Sequence, residues 1–391
     1  MDALVTDVHT RAAVSGLRGL GRGGVKVLAV APRATAPGMW SRFASERAVA
    51  AHAVRDPAAF AARVDGLAVE RGPLVVYPVQ EEAIDALYGA SPGLSPEAIL
   101  PYPGVGPLRL LRDKRELPRL AAEHGFATPD TLAEGRAGDL ACADLPTPCV
   151  VKPVGKGGAI PTAVPIDSRE ELRRLLGQLP AGEPLVVQKR LRGPLVSLGL
   201  VIGRDGRLVS RFQHLASRTW PAAAGSSALA ISVAPDEALA ARARTLLDEA
   251  GYWGLAELEF IATRRGPALI DVNPRFYGCM PLPIACGLNL PAIWHAVVVG
   301  GALPSPAPYR VGVTYRWLKA DVTAAVHGRP RRLLQRSRGP RTGAMWAGDD
   351  LLPSALLAAP RGERILERLH PGVAGLSERG RLRPETPRPT A

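Results

Sequence analysis

The sequence predicts an α/β protein in which a parallel sheet flanked by helices comes first and antiparallel strand pairs follow. Three observations predict it. The first hundred residues alternate apolar runs with segments of helical spacing, a βαβαβ pattern. Two later stretches, 195–214 and 255–273, read as hairpins. At 391 residues the chain is two to three times the usual domain size, so at least two packed units are expected.

Taken in order, 3–6 reads as a short strand, 10–20 as a helix and 25–31 as a second strand. A helix over 56–69 is capped by Asp56, with Pro57 in its first turn. A buried strand over 74–79 and a helix over 81–87 complete the unit. Gly19-Leu20-Gly21-Arg22-Gly23-Gly24 is no dinucleotide loop, because it ends a helix and precedes a strand, the reverse of what a phosphate loop needs. The Pro/Gly-rich stretch 91–107 is the first boundary. One helix is predicted over 108–124, then a strand over 149–154 that opens into Gly155-Lys156-Gly157-Gly158. A helix over 168–176 carries a capping box, Ser168 with Glu171. Strand 185–188 precedes a hairpin, 195–202 with 208–214, turned at Arg204-Asp205-Gly206. A helix over 235–250 leads to the second pair, 255–262 with 268–273. Beyond Gly301 the pattern decays.

A hydrophobic fraction of 47% with 22% charged residues excludes wholesale disorder. No apolar run is long enough to span a bilayer, and the first residues, with Asp2 and Asp7, do not read as a secretory signal. The four cysteines make no disulfide framework and match no common zinc spacing. A reducing cytoplasm is the expectation. The net charge of +13 is concentrated: from Arg329 to Ala391 there are 13 Arg against 6 acidic residues. That stretch reads as a basic tail or solvated face, with a polyanion-binding arm as the alternative. Only six of the 49 basic residues are Lys, which marks Lys114, Lys152 and Lys156 as positions that need a compact ammonium.

Two motifs carry chemistry. Lys152-Pro153-Val154-Gly155-Lys156-Gly157-Gly158 ends a strand in a Lys and opens a Gly-rich loop, which can surround a polyphosphate with charge and backbone N–H groups. Glu257-Leu258-Glu259-Phe260 pairs with Asp271-Val272-Asn273-Pro274-Arg275. Residues two apart share a strand face, so Asp271 and Asn273 point together and a hairpin brings Glu259 alongside. Such hard oxygen ligands suit Mg²⁺, and like charges side by side destabilise a strand pair unless a cation offsets them.

With these residues the sequence resembles the ATP-grasp superfamily, most of all its carbamoyl-phosphate-synthase-large-chain-like branch of carboxylate–amine ligases. Asp113-Lys114 in a helix ahead of Gly125-Phe126-Ala127-Thr128-Pro129, Val151-Lys152-Pro153 with Gly157-Gly158, and Gln188-Lys189-Arg190-Leu191-Arg192-Gly193 are similar to its phosphate and adenine motifs. The resemblance spans roughly residues 1–300. It departs at Gln188 and Asp271, where Glu is common, and at 218–227, which lacks one Gly of a usual pair. The resemblance implies an N-terminal parallel-sheet pre-ATP-grasp domain (1–107), then an ATP-grasp fold of two subdomains (108–184 and 185–300); residues 301–391 are left as a basic extension.

It further implies ATP and Mg²⁺ (or Mn²⁺) as cofactors. Lys114, Lys152, Lys156, Gly157 and Gly158 would take the phosphates, and Gln188, Lys189 and Leu191 the adenine side. Glu259, Asp271 and Asn273 would hold the metal. Arg275 would stabilise the transferred phosphoryl group, and Arg218 would meet the carboxylate substrate or the γ-phosphate. The implied reaction is amide or peptide bond formation through an acylphosphate, from small-molecule acid and amine substrates. No membrane and no nucleic acid is expected as partner, and a homodimer stays open. Three alternatives stay open as well: a degenerate ATP-binding scaffold, a nucleic-acid binder using the +13 charge, and a bicarbonate-activating carboxylase-type enzyme.

Overall fold

The computed structural model describes residues 1–155, 159–160, 163–221, 225–326 and 339–358. Strand β1 (Ala3–Val5) is wholly buried and sits at the centre of a parallel sheet. Its neighbours are β2 (Val27–Ala31) and β4 (Leu74–Tyr77), with β3 (Ala44–Val49) and β5 (Ala98–Ile99) at the edges, in the order β3-β2-β1-β4-β5. The βαβαβ expectation therefore holds, with two edge strands added. β3 was not legible because its middle is exposed and polar, as an edge strand tolerates. β5 lies inside the stretch 91–107 that reads as a boundary.

Helix α1 (Arg11–Arg22) starts where Thr10 Oγ1 accepts from Ala13 N at 3.3 Å. Its glycines serve packing. A Cβ on Gly16 would come within 2.3 Å of the Phe276 ring, and one on Gly19 within 2.6 Å of Pro291. Helix α2 (Pro57–Arg71) is capped as expected, Asp56 accepting from Ala59 N at 2.9 Å. Helix α3 is Glu81–Ala90.

The single helix expected over 108–124 is two: α4 (Val105–Arg112) and α5 (Glu116–Glu123). Asp113 breaks the run. Its backbone is extended, and its carboxylate accepts from Arg115 N at 2.8 Å, a local bond that competes with helix continuation. Lys114 thus stands in a turn rather than in a helix, with its N–H donated to Val154 O at 3.1 Å.

A small antiparallel sheet follows. It comprises β6 (Thr131–Arg136), β7 (Cys149–Pro153), β8 (Val164–Ile166) and β9 (Pro184–Lys189) in the order β6-β9-β7-β8. Helices α6 (Ala137–Ala141) and α7 (Arg169–Gln178) accompany it. Ser168 caps α7 by accepting from Glu171 N at 3.2 Å, while Glu171 reaches Asp167 N at 2.9 Å instead of closing the box on Ser168.

The large sheet runs β14-β13-β10-β11-β12-β15-β16. Its strands are β10 (Leu195–Ile202), β11 (Leu208–Trp220), β12 (Ser226–Val233), β13 (Gly254–Thr263), β14 (Gly266–Asn273), β15 (Thr314–Arg316) and β16 (Arg341–Gly343). Both expected hairpins are present, and the first turns at Gly206 with φ +72°. Helix α8 (Glu237–Glu249) lies between β12 and β13, and α9 (Pro281–Ala285) and α10 (Leu290–Val299) follow β14. After Gly301 the chain still contributes β15, α11 (Leu318–Val326), β16 and α12 (Leu351–Ala358). The segment that reads as an appendage therefore extends the large sheet in part. One aromatic cluster joins the first sheet to the segment after β14: Tyr77 stacks on Phe276 at 5.3 Å and meets Trp294 edge-on at 4.8 Å. The four cysteines are free. No helix among the described residues is long and apolar enough to cross a membrane.

Candidate active site

The centre of the site is the β13–β14 hairpin. Its register places Glu259 opposite Asp271 and Glu257 opposite Asn273, so four oxygen-bearing side chains share one face. The register slips beside Glu259, which leaves Ile270 as an extra residue of a bulge. The Ile270 carbonyl then accepts from Lys152 Nζ at 3.1 Å. Lys152 comes from β7 in the small sheet, so the bond crosses from one sheet to the other. Lys114, anchored through its backbone to the end of the same β7 segment, forms an ion pair with Asp271.

The expected residues do converge. Lys114, Lys152, Gln188, Lys189 and Leu191 on one side and Arg218, Glu259, Asp271, Asn273 and Arg275 on the other line one cleft of about 1550 Å³. Lys156, Gly157 and Gly158 lie outside the described residues. Gln188 is only 3% exposed, and its Oε1 finds no hydrogen-bond partner among the described residues. A buried acceptor left without a donor is costly unless a ligand or water supplies one. Lys189 turns its ammonium to Asp130 at 3.2 Å and is exposed.

The electrostatics of the hairpin are strained. Burial pushes the Glu257 carboxyl well above the usual carboxylate range, and Glu259 and Asp271 push it the same way. Asn273 Nδ2 donates to Glu257 at 3.4 Å, and Arg275 Nη2 donates to Asn273 Oδ1 at 3.4 Å. Among the described residues no three His, Cys, Asp or Glu side chains are gathered closely enough to hold a metal ion; the Lys114 ammonium answers Asp271 instead. The donor set nevertheless fits Mg²⁺: hard oxygens on adjacent strands, crowded like charges that a divalent cation would relieve, and an open cleft beside them.

Four residues of the site were given no role from the sequence. Glu81, at the start of α3, uses both oxygens: one on Arg275 Nε at 2.6 Å, the other on Arg112 Nε at 2.7 Å. It ties α3 to the cleft, but in sequence it reads as an ordinary acid in a helix's first turn. Glu257 shares a strand face with Glu259, a signal available at a spacing of two. Asp321, 1% exposed, pairs with Arg218 at 2.9 Å and with Arg316 at 2.6 Å. Arg218 is thus no unengaged fork awaiting substrate, because a residue more than a hundred positions later already holds it. Arg11 also lines the cleft, and nothing in its flanking sequence marks it. His9 stands outside the lining, its ring 5.9 Å from His52. Cys279 does line the cleft, and burial first, then Glu257, pushes its thiol up to about 12.

Comparison with known proteins agrees with this geometry. A family model described as "ATP-grasp in the biosynthetic pathway with Ter operon" matches residues 181–321. The sequence matches no curated protein. Similar solved structures include the biotin carboxylase domain of Hydrogenobacter thermophilus 2-oxoglutarate carboxylase, at 16% identity and TM-score 0.60 over 80% of this chain and 73% of that one. L-amino acid ligase from Bacillus licheniformis matches at 20% identity and TM-score 0.58, over 76% and 74% of the two chains. N5-carboxyaminoimidazole ribonucleotide synthetase from Thermus thermophilus matches at 18% identity and TM-score 0.59, over 79% and 81%. At these identities the likeness is one of fold. The family model covers the segment that carries Arg218, Glu259, Asp271, Asn273 and Arg275, so this wall of the cleft matches ATP-grasp in sequence and the chain as a whole shares the fold of the similar structures.

Proposed function

We propose that the protein is an ATP-dependent, ADP-forming carboxylate–amine ligase that makes an amide or peptide bond through an acylphosphate, from small acids and amines such as amino acids. The observation that carries this reading is the meeting of Lys114 and Lys152 with the Glu259/Asp271 face at one bulged hairpin. Two ammonium groups and a carboxylate pair within one cleft suit a substrate that is both polyanionic and metal-bound.

In this reading Lys114 and Lys152 hold ATP phosphates, and Gln188 with the chain over Lys189 and Leu191 faces the adenine. Glu259, Asp271 and Asn273 would hold Mg²⁺, which when bound supplies charge neutralisation for the transferred phosphoryl group. The substrate carboxylate attacks the γ-phosphorus and ADP leaves; the amine then displaces phosphate from the acylphosphate. Arg275, braced by Glu81, presents a guanidinium where charge builds up on the transferred group. Arg218, oriented by Asp321, faces the incoming acid. The name of one similar structure, an L-amino acid ligase, supports this chemistry; another, a biotin carboxylase domain solved with MgADP and bicarbonate, supports the magnesium nucleotide and is the reason bicarbonate enters the test.

The test is a screen of acid–amine pairs, bicarbonate included, for ADP release, with products identified by mass spectrometry. An amide product formed with stoichiometric ADP is the expected result. ATP binding without turnover on any pair would overturn the ligase reading in favour of a binding protein, and ADP release with bicarbonate alone would redirect it to carboxylation.

A further inference from the structure

Arg11 is a cation of the cleft that the ligase reading leaves unused; Arg190, which also lines it, is paired with Asp167. It opens α1 in the first domain, yet its contacts are with the large-sheet side. Its guanidinium carbon lies 3.7 Å from the centroid of the Trp317 ring. Its Nη1 donates to the Tyr315 hydroxyl at 2.9 Å, and that hydroxyl donates to Gly278 O at 2.9 Å. A Cβ on Gly278 would lie 2.5 Å from Nη2, so the bare backbone there is what admits the guanidinium. The group is thus held between an indole face and a glycine, with its orientation set by a hydroxyl.

Among the described residues its charge meets no carboxylate. Lys114, Arg218 and Arg275 each meet a carboxylate. Arg11 meets none among the described residues, where its contacts are a neutral hydroxyl and a ring. A guanidinium has five N–H donors in a planar fork, and the bond to Tyr315 uses one. Arg11, Gly278 and Trp317 all line the cleft, so donors remain on its wall. An oxyanion arriving there displaces no internal carboxylate, unlike one arriving at Arg218 or Arg275, and a stacked, half-buried guanidinium is already oriented for a two-oxygen contact.

We propose that Arg11 is the receptor for an oxyanion group, carboxylate or phosphate, that a substrate carries in addition to the carboxylate being activated. The inference rests on the ligase reading for the presence of an acid and an amine, and adds that at least one of them is bifunctional. An α-amino acid acting as the amine is the simplest such molecule: its amine reacts while its own carboxylate sits on Arg11.

The experiment uses the full chain and offers matched substrates. The amine is L-alanine, ethylamine or O-phosphoethanolamine, and the acid is glutarate or butyrate. ADP release is measured for wild type, Arg11→Lys and Arg11→Gln. Wild type should favour an oxyanion-bearing member over its plain counterpart by about 10–100-fold in kcat/KM, the factor expected for one charged hydrogen-bonding contact. Preference for L-alanine or glutarate assigns a carboxylate, and preference for O-phosphoethanolamine assigns a phosphate. Arg11→Gln should erase the preference through KM for that substrate, with KM for ATP not following it, and Arg11→Lys should keep part of it. A merely structural role would move both KM values together. No preference in wild type, or a preference that survives Arg11→Gln, overturns the proposal.

A second measurement separates this from the ligase reading. Because Trp317 stacks on Arg11, oxyanion binding should change indole emission, isolated as the difference from Trp317→Phe. If no pair releases ADP, the ligase reading fails alone. A saturable emission change with L-alanine, glutarate or O-phosphoethanolamine that is lost in Arg11→Gln still supports the site, and its absence overturns it.

Discussion

Two sets of buried charges in this protein are built on opposite plans. In the first, Arg18 of α1 meets Asp350 at 2.8 Å, with both side chains at most 4% exposed. The same guanidinium donates to Met345 O, Asp350 O and Ser354 Oγ. Asp350 also accepts from Ser41 Oγ at 2.7 Å and from Arg42 N at 2.9 Å. Every charge there has its partners. In the second, on the β13–β14 hairpin, Glu257, Glu259 and Asp271 crowd one face, Glu257 is driven toward its neutral form, and Gln188 on the same cleft keeps an oxygen without a donor among the described residues. The closed set fastens the last described segment to α1 and to the turn at Ser41 and Arg42. The open set keeps unmet demand that a ligand can satisfy, which is how a stable fold keeps a reactive site.

That contrast can be broken at four points, from the largest expected effect to the smallest. Arg18→Met should cost about 3–5 kcal/mol in urea unfolding, since it leaves Asp350 buried without its cation; a shift below about 1 kcal/mol would mean the set is not closed. Glu259→Ala should do the reverse. ADP release should fall by about 10²–10³-fold while the urea midpoint holds, because the hairpin loses a ligand and a repulsion together. Unchanged turnover would remove Glu259 from the site.

A smaller effect should appear in the pH dependence of stability. His214 lies in β11, fully buried, and burial lowers its pKa from 6.5 to about 4. A depressed histidine contributes stability that is complete above 6.5 and lost as the pH falls toward 4, because the unfolded chain binds the proton first. Its share of the slope is at most about 1.4 kcal/mol per pH unit. His214→Phe should flatten the stability profile across that window, and an unchanged slope would place the titration elsewhere. Last, Asp56→Ala should cost about 1 kcal/mol by uncapping α2, a cap that takes part in neither charge set, with no change in ADP release.

How much of this was legible depended on range. Asp56, Ser168 and the Arg204-Asp205-Gly206 turn were readable because caps and turns act within a few residues. The Glu259–Asp271 pairing was readable because a short hairpin fixes register from alternation alone. By contrast, β12 (Ser226–Val233), built mostly of small residues, offered no strong apolar alternation and escaped notice.

What the sequence by itself determined was the order of elements and the chemistry available: a parallel first unit, two hairpins, lysines retained among arginines, and carboxylates two apart on facing strands. Only the tertiary structure decided which charges are already spoken for. That Arg218 is held by a carboxylate shows only once Asp321, 103 positions away in the chain, is seen beside it. Lys114 reads as helical until its N–H is seen on Val154 O. Arg11 is an unremarked helix residue until Gly278, Tyr315 and Trp317 close around it. Local periodicity reports torsion preferences and faces, which the chain carries residue by residue. Whether a charge is paired depends on partners brought in from distant segments, and no local pattern encodes them.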